Sequence, residues 1–145
     1  MRSRISAVLL GLIALAPDAL ARAPGQNGVQ VTIPVSGIAD YAQAVAVDPN
    51  GNIVLAGAIG GNGATGGNKS VLARLSVGGA LDFSFGTLGI ATHDLSMNQS
   101  DGLRALVRMD DGRDAGCGVL FTAGTAQAFV VARFNSDGSL DATFN

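Results

Sequence analysis

The sequence predicts an all-β protein built from two copies of one repeat. The second half contains DGLRALVRMDDGR and FVVARFNSDGSLDATF, which repeat DYAQAVAVDPNGNIVLAGA and SVLARLSVGGALDFSF of the first half. The period is about sixty residues, long enough for one four-stranded unit of a repeat architecture. The composition agrees, because the chain has 21 glycines, no glutamate and a single lysine, whereas helices favour Glu, Lys, Gln and Leu.

The N-terminus has the pattern of a secretory signal peptide. Arg2 and Arg4 precede the apolar run ISAVLLGLIALA, and Ala19-Leu20-Ala21 supplies the small residues that signal peptidase requires. The run is shorter than the roughly 20 apolar residues needed to span a bilayer. We therefore expect residues 1–21 to be removed on export, leaving a periplasmic or extracellular protein without a membrane span.

Alternating apolar residues and turn signals define the strands of the first repeat. Strands are predicted for residues 28–35, 42–48, 53–59 and 69–77, and for residues 89–95 at the start of the second repeat. Pro49 presets φ, and Asn50-Gly51 tolerates positive φ, so a tight turn is expected after Asp48.

The two repeats align residue by residue over most of their length. Gly112 aligns with Gly51, whereas the dipeptide Ala123-Gly124 aligns with Ala56-Gly57 only if residues 114–119 are an insertion. The aligned repeat positions that we single out as structural are Gly51, Gly57, Arg74, Asp82 and Phe85 in the first copy, and Gly112, Gly124, Arg133, Asp141 and Phe144 in the second.

These residues resemble the delta-60 repeat, a bacterial repeat of uncharacterised role. The first copy carries its pattern at Asp48, Gly51, Ile53, Val54, Ala56, Gly57, Ala73, Arg74, Gly79, Leu81, Asp82, Phe85 and Gly86. The resemblance implies a β-propeller and no known reaction. We therefore predict two four-stranded antiparallel blades, in residues 22–84 and 85–145, that form an incomplete propeller as a single chain.

Two blades are fewer than the roughly four to eight with which propellers close. An array of two also leaves an apolar face uncovered at each end. Either the chain is a fragment of a larger propeller without independent function, or several copies close one ring as a homo-oligomer.

Few residues offer chemistry. His93 is the only histidine and Cys117 the only cysteine, so one chain cannot supply a His/Cys metal cage. We expect His93 to be an exposed surface residue and Cys117 to be inert. The aspartate-rich stretches 110–114 and 135–141 lack the spacing and the glutamate of an EF-hand loop, which favours turns and leaves calcium as a weak alternative. Because a buried unpaired charge is costly, Arg74 and Arg133 are predicted to pair with Asp82 and Asp141.

The sequence thus favours a non-enzymatic scaffold or binding module, with no catalytic, cofactor-binding or metal-binding residue assigned and no cofactor. Its variable loops, residues 60–68 and 111–119, are the candidate contact regions. Partners would be a second copy of the chain, or an unidentified protein or glycan; the chain has no basic stripe for nucleic acid, and its formal net charge is −2. The rival function is part of a propeller-scaffold hydrolase or lyase.

Overall fold

A computed structural model describes residues 33, 35, 39–60, 67–97, 99–122 and 127–144. The secondary structure of these residues consists of strands joined by turns. The strands are β1 (Asp40–Val47), β2 (Ile53–Ile59), β3 (Lys69–Leu75), β4 (Ile90–His93), β5 (Asp101–Arg108), β6 (Asp114–Phe121) and β7 (Gln127–Phe134). All of them belong to the compact unit Val35–Asn145. The prediction of an all-β fold is confirmed.

The strands form two antiparallel sheets that pack against each other. The first sheet has the order β1-β2-β3-β4 and the second the order β5-β6-β7. Strand β5 lies against β1, β2 and β3, which makes it the main contact between the sheets. The core between them is fully buried and apolar; its largest members are Val54, Leu72, Phe85, Leu103 and Phe134.

The hairpin turns form as their sequences predict. The Asp48 carboxylate accepts hydrogen bonds from the backbone N–H groups of Asn50 at 2.9 Å and Asn52 at 2.8 Å. Gly51 follows with a φ of 83°, and Gly112 has the same φ in the turn between β5 and β6. Glycine enters this left-handed region without the steric cost that a Cβ would bring.

The first sheet crosses the boundary that the sequence repeat places after residue 84. Strand β4 follows that boundary, yet it pairs with β3 in the register Ser70↔His93 to Ala73↔Ile90. The second sheet has three strands among the described residues where four were predicted. The first sheet thus takes its fourth strand from the start of the second repeat. The predicted strand at residues 28–35 lies, apart from residues 33 and 35, outside the described residues.

The predicted insertion at residues 114–119 is wrong. These residues belong to β6, which pairs with β5 as β2 pairs with β1. A Cβ added to Gly57 would lie 1.7 Å from the carbonyl oxygen of Tyr41, and one added to Gly118 would lie 2.0 Å from that of Gly102. Gly118 therefore has the role of Gly57 in the second sheet. Gly124, which sequence identity had aligned there, lies outside the described residues.

Candidate functional site

Two β-bulges place a polar residue at the same position of each sheet. The pairing of β1 with β2 shifts register at Gln43, and the pairing of β5 with β6 shifts at Arg104. A bulge leaves its extra residue out of the ladder and re-aims the side chain, and bulges are frequent beside functional sites. Arg104 and Gln43 are 61 residues apart in sequence, and Arg104 Nη1 donates to Gln43 Oε1 at 3.2 Å.

A cleft of about 310 Å³ opens between the sheets at this pair. Arg104 supplies a cation, Gln43 an amide, and Tyr41 and Phe121 supply exposed aromatic rings. The complete lining is Tyr41, Gln43, Ala58, Asn68, Ser100, Asp101, Gly102, Arg104, Val119 and Phe121. An exposed guanidinium in a cleft that also carries aromatic rings can hold an anionic group while the rings pack against the apolar part of the same ligand.

Asp101, in the cleft wall, serves the fold. Its Oδ1 accepts hydrogen bonds from the backbone N–H of Ser70 at 2.6 Å and from the Ser70 hydroxyl. Its Oδ2 accepts from the Leu95 N–H at 3.1 Å and the Ser96 hydroxyl at 3.0 Å. Both oxygens of this buried carboxylate are thereby occupied, and the second sheet is tied to β3 of the first.

Both predicted arginine–aspartate pairs are present. Arg74 Nε lies 2.8 Å from Asp82 Oδ2, and Arg133 Nε lies 2.7 Å from Asp141 Oδ2. Each contact uses one nitrogen rather than the two of a bidentate pair, since the other Arg74 nitrogens donate to the Ser136 carbonyl and the Ser84 hydroxyl.

The phenylalanines of the repeat lie under these arginines. The Arg74 guanidinium carbon is 4.7 Å from the centre of the Phe85 ring, and that of Arg133 is 4.8 Å from the centre of the Phe144 ring. These distances allow cation–π attraction. Each charge of the two pairs is therefore already partnered within the protein, which indicates a structural role.

Hydrogen bonds inside the turns engage the aspartates of the oxygen-rich stretches. Asp111 accepts from the Arg113 backbone and guanidinium, and Asp137 accepts from the N–H and hydroxyl of Ser139. The hydroxyl and N–H of Thr143, followed by the Arg133 guanidinium, hold the pKa of Asp141 well below its usual range. Within the described ranges, no group of three or more His, Cys, Asp or Glu side chains could hold a metal ion.

His93 is half-buried, which corrects the prediction of an exposed surface residue. Its Nε2 lies 2.9 Å from the Gly138 carbonyl oxygen, and its ring centre lies 5.1 Å from that of Phe134. Burial, opposed by the Gly138 hydrogen bond, lowers the pKa of this imidazole. The histidine links the two sheets at the edge strand β4. Cys117 is a free thiol on the exposed side of β6.

The candidate loops fall partly outside the site. Residues 61–66 of the first loop lie outside the described residues, and Asn68 at its end lines the cleft. The second segment, 111–119, is a turn followed by most of β6, and of it only Val119 reaches the cleft. Sequence reasoning missed Gln43 and Arg104, although a polar residue in the middle of each apolar strand was the available signal.

The fold and the repeated site define the class of protein. Two adjacent antiparallel sheets with equivalent strands and no closure form an incomplete β-propeller. A family model described as a domain of unknown function (DUF5122) beta-propeller matches residues 118–144. The match covers β7 and the Arg133–Asp141 pair, and it supports a propeller-repeat family. Comparison with curated proteins found no match. No helix in the described part of the chain is long and apolar enough to cross a membrane.

Proposed function

We propose that the chain is an exported, non-enzymatic binding module of the delta-60 propeller type, which holds a small carboxylate-bearing ligand at Arg104. The juxtaposition of Arg104 and Gln43 by equivalent bulges is the observation that carries this proposal. Nothing in the fold requires an exposed guanidinium at that position, since the first repeat has an uncharged glutamine there.

The chemistry of the cleft favours binding. The carboxylate in the cleft lining, Asp101, accepts four hydrogen bonds within the protein, so it is engaged as a structural acceptor. The Arg104 guanidinium has five donors, of which one contacts Gln43. The remaining donors match a carboxylate, and the rings of Tyr41 and Phe121 suit the apolar face of a sugar or a similar scaffold. No cofactor takes part in this binding.

A uronic acid tests the proposal, because it combines a carboxylate with a sugar ring. In a two-dimensional NMR titration with glucuronate, we expect saturable shifts at the Arg104 and Gln43 amides. Glucose, which lacks the carboxylate, should shift them far less. Arg104→Gln, which copies the residue of the first repeat, should abolish the effect of glucuronate, whereas Arg113→Gln, in the β5–β6 turn, should retain it. Equal shifts with glucose and glucuronate, or an unchanged response of Arg104→Gln, would refute the role of this arginine.

A further inference from the structure

Equivalent residues of the two sheets differ sharply in burial. Leu72 and Phe85 of the first sheet are fully buried, because the second sheet covers them. Their counterparts in the second sheet, Val131 and Phe144, are 58% and 45% exposed. Phe129, the counterpart of the buried Ser70, is 96% exposed. We call the surface formed by Phe129, Val131 and Phe144 the trailing face.

The first sheet shows the complementary difference. Leu103 and Leu106 of β5 pack into the core between the sheets. Their counterparts on β1 are Ala42, which is exposed, and Val45, which is 59% exposed. Val47 continues this row and is exposed as well. We call the surface formed by Ala42, Val45 and Val47 the leading face.

The described residues therefore contain one complete contact between sheets and, on each side of it, an exposed surface equivalent to one half of that contact. Within the chain, the face of β5 packs on the first sheet. The leading face lies on β1, whose pairing and bulge repeat those of β5. The trailing face is the counterpart, in the second sheet, of the first-sheet surface on which β5 packs. Contiguous exposed apolar surface of this kind marks an interaction site.

The edge strands lead to the same conclusion. Strand β4 immediately precedes the second sheet in sequence but adds to β3, the last strand that the first repeat contributes. Strand β7 is the counterpart of β3, and in the described residues it pairs only with β6.

We propose that a second copy of this chain covers the trailing face. The leading face of one copy packs on the trailing face of the next. The two halves of this contact lie on opposite sides of one chain, so the leading and trailing faces of a single copy cannot pack on each other. The contact is heterologous, and its repetition closes a ring if the rotation between the copies allows. A ring of two to four chains would have the roughly four to eight blades of known propellers.

The experiment measures the mass of the purified chain and three variants by light scattering behind size exclusion. The unmodified chain is expected to give a multiple of the chain mass. Val131→Lys damages only the trailing face and Val45→Glu only the leading face, so each should reduce the mass to one chain. Val77→Lys, at an exposed apolar position in the turn after β3, is the matched control and should leave the assembly intact. Far-UV circular dichroism checks that each variant keeps its strands.

Mixing the two variants tests the direction of the contact. Val131→Lys retains its leading face and Val45→Glu its trailing face, so the mixture should form a one-to-one dimer. An isologous dimer through one face would instead keep its mass in the variant of the other face, and mixing the two variants would not restore the dimer that the first substitution had broken. Should Val131→Lys lose its strand spectrum, Phe129→Lys replaces it, since that side chain is almost wholly exposed. A folded monomeric parent, or an assembly that survives Val45→Glu, would overturn the proposal.

Discussion

Asp101 and Ser70, 31 residues apart in sequence, are joined by two hydrogen bonds across the contact between the sheets. The carboxylate lies at the start of β5 and the serine on β3, and both side chains are buried. The same carboxylate also orders the segment before β5 through Leu95 and Ser96. One side chain thus fixes both the packing of the sheets and the path of the chain between them.

Removal of this carboxylate should destabilise the protein. In Asp101→Ala, the buried N–H and hydroxyl of Ser70 lose their acceptor, and each buried donor left unsatisfied costs about 1–3 kcal/mol. We expect a loss of about 3 kcal/mol in the free energy of unfolding, measured by urea denaturation with circular dichroism. Asp110→Asn, an exposed aspartate in the β5–β6 turn, is the control and should change little. Equal stability of the two variants would show that Asp101 does not hold the sheets together.

The alignment of Gly118 with Gly57 makes a second prediction. A Cβ at residue 118 would lie 2.0 Å from a backbone oxygen of β5, so the two strands would have to separate. Gly118→Ala should cost about 3 kcal/mol of unfolding free energy, the upper range for overpacking. Gly112→Ala has open space around its Cβ and a positive φ, and should cost about 1 kcal/mol.

The alternative alignment by sequence identity gives the opposite expectation. If Gly124 were the counterpart of Gly57, Gly124→Ala would be the most damaging of the three variants. The ranking of their urea midpoints, measured at one protein concentration, distinguishes the alignments. A smaller effect at residue 118 than at residue 124 would contradict the pairing of β5 with β6 described above.

Local features of the fold were predictable, and long-range ones were not. The bounds of β2 and the Arg74–Asp82 pair follow from alternation and short spacing, which the sequence displays directly. The role of Asp101 depends on a serine 31 residues away, and the assignment of β4 depends on which strand it pairs with. The alignment error at Gly124 arose because identical letters were matched, whereas glycine is required where a carbonyl of the neighbouring strand approaches.

Acid should weaken the protein through Asp141. Hydrogen bonds from Thr143, followed by the Arg133 and Arg113 guanidinium groups, depress the pKa of Asp141 in the folded state. The unfolded chain therefore binds the proton more readily, and the stabilisation is present above the unfolded pKa of about 3.9 and is lost as pH falls below it. Asp141→Asn should lower the urea midpoint most at neutral pH, and the difference from the parent should shrink towards about pH 3.

The control variant is again Asp110→Asn, which removes an exposed carboxylate in the β5–β6 turn, away from the Asp141 hydrogen bonds. A difference between parent and Asp141→Asn that is constant from neutral pH to about pH 3 would mean that the Asp141 carboxyl titrates alike in the folded and the unfolded chain. The ion pairs with Arg133 and Arg113 would then contribute only through contacts that do not depend on the charge of Asp141.

The pair of Arg108 and Asp114 is a buried charge pair with an apolar equivalent in the same protein. Arg108 Nε lies 2.8 Å from Asp114 Oδ1, but these atoms, Arg108 Nη2 and Asp114 Oδ2 form no directed hydrogen bond. Burial raises the pKa of the Asp114 carboxyl. The corresponding cross-strand pair in the first sheet is Val47 and Ile53. The fold therefore accommodates either an ion pair or an apolar pair at this position of the hairpin.

A double-mutant cycle based on this equivalence should show strong coupling. Arg108→Val or Asp114→Ile alone leaves an uncompensated charge and should cost about 3–5 kcal/mol of unfolding free energy. The double variant restores the pair of the first sheet, and should be as stable as the parent or more stable by about 1–4 kcal/mol. Because the imperfect geometry recovers little of the desolvation cost, stabilisation is the expected sign. Additive losses, measured by urea unfolding of all four proteins, would show instead that the ion pair is the better choice here.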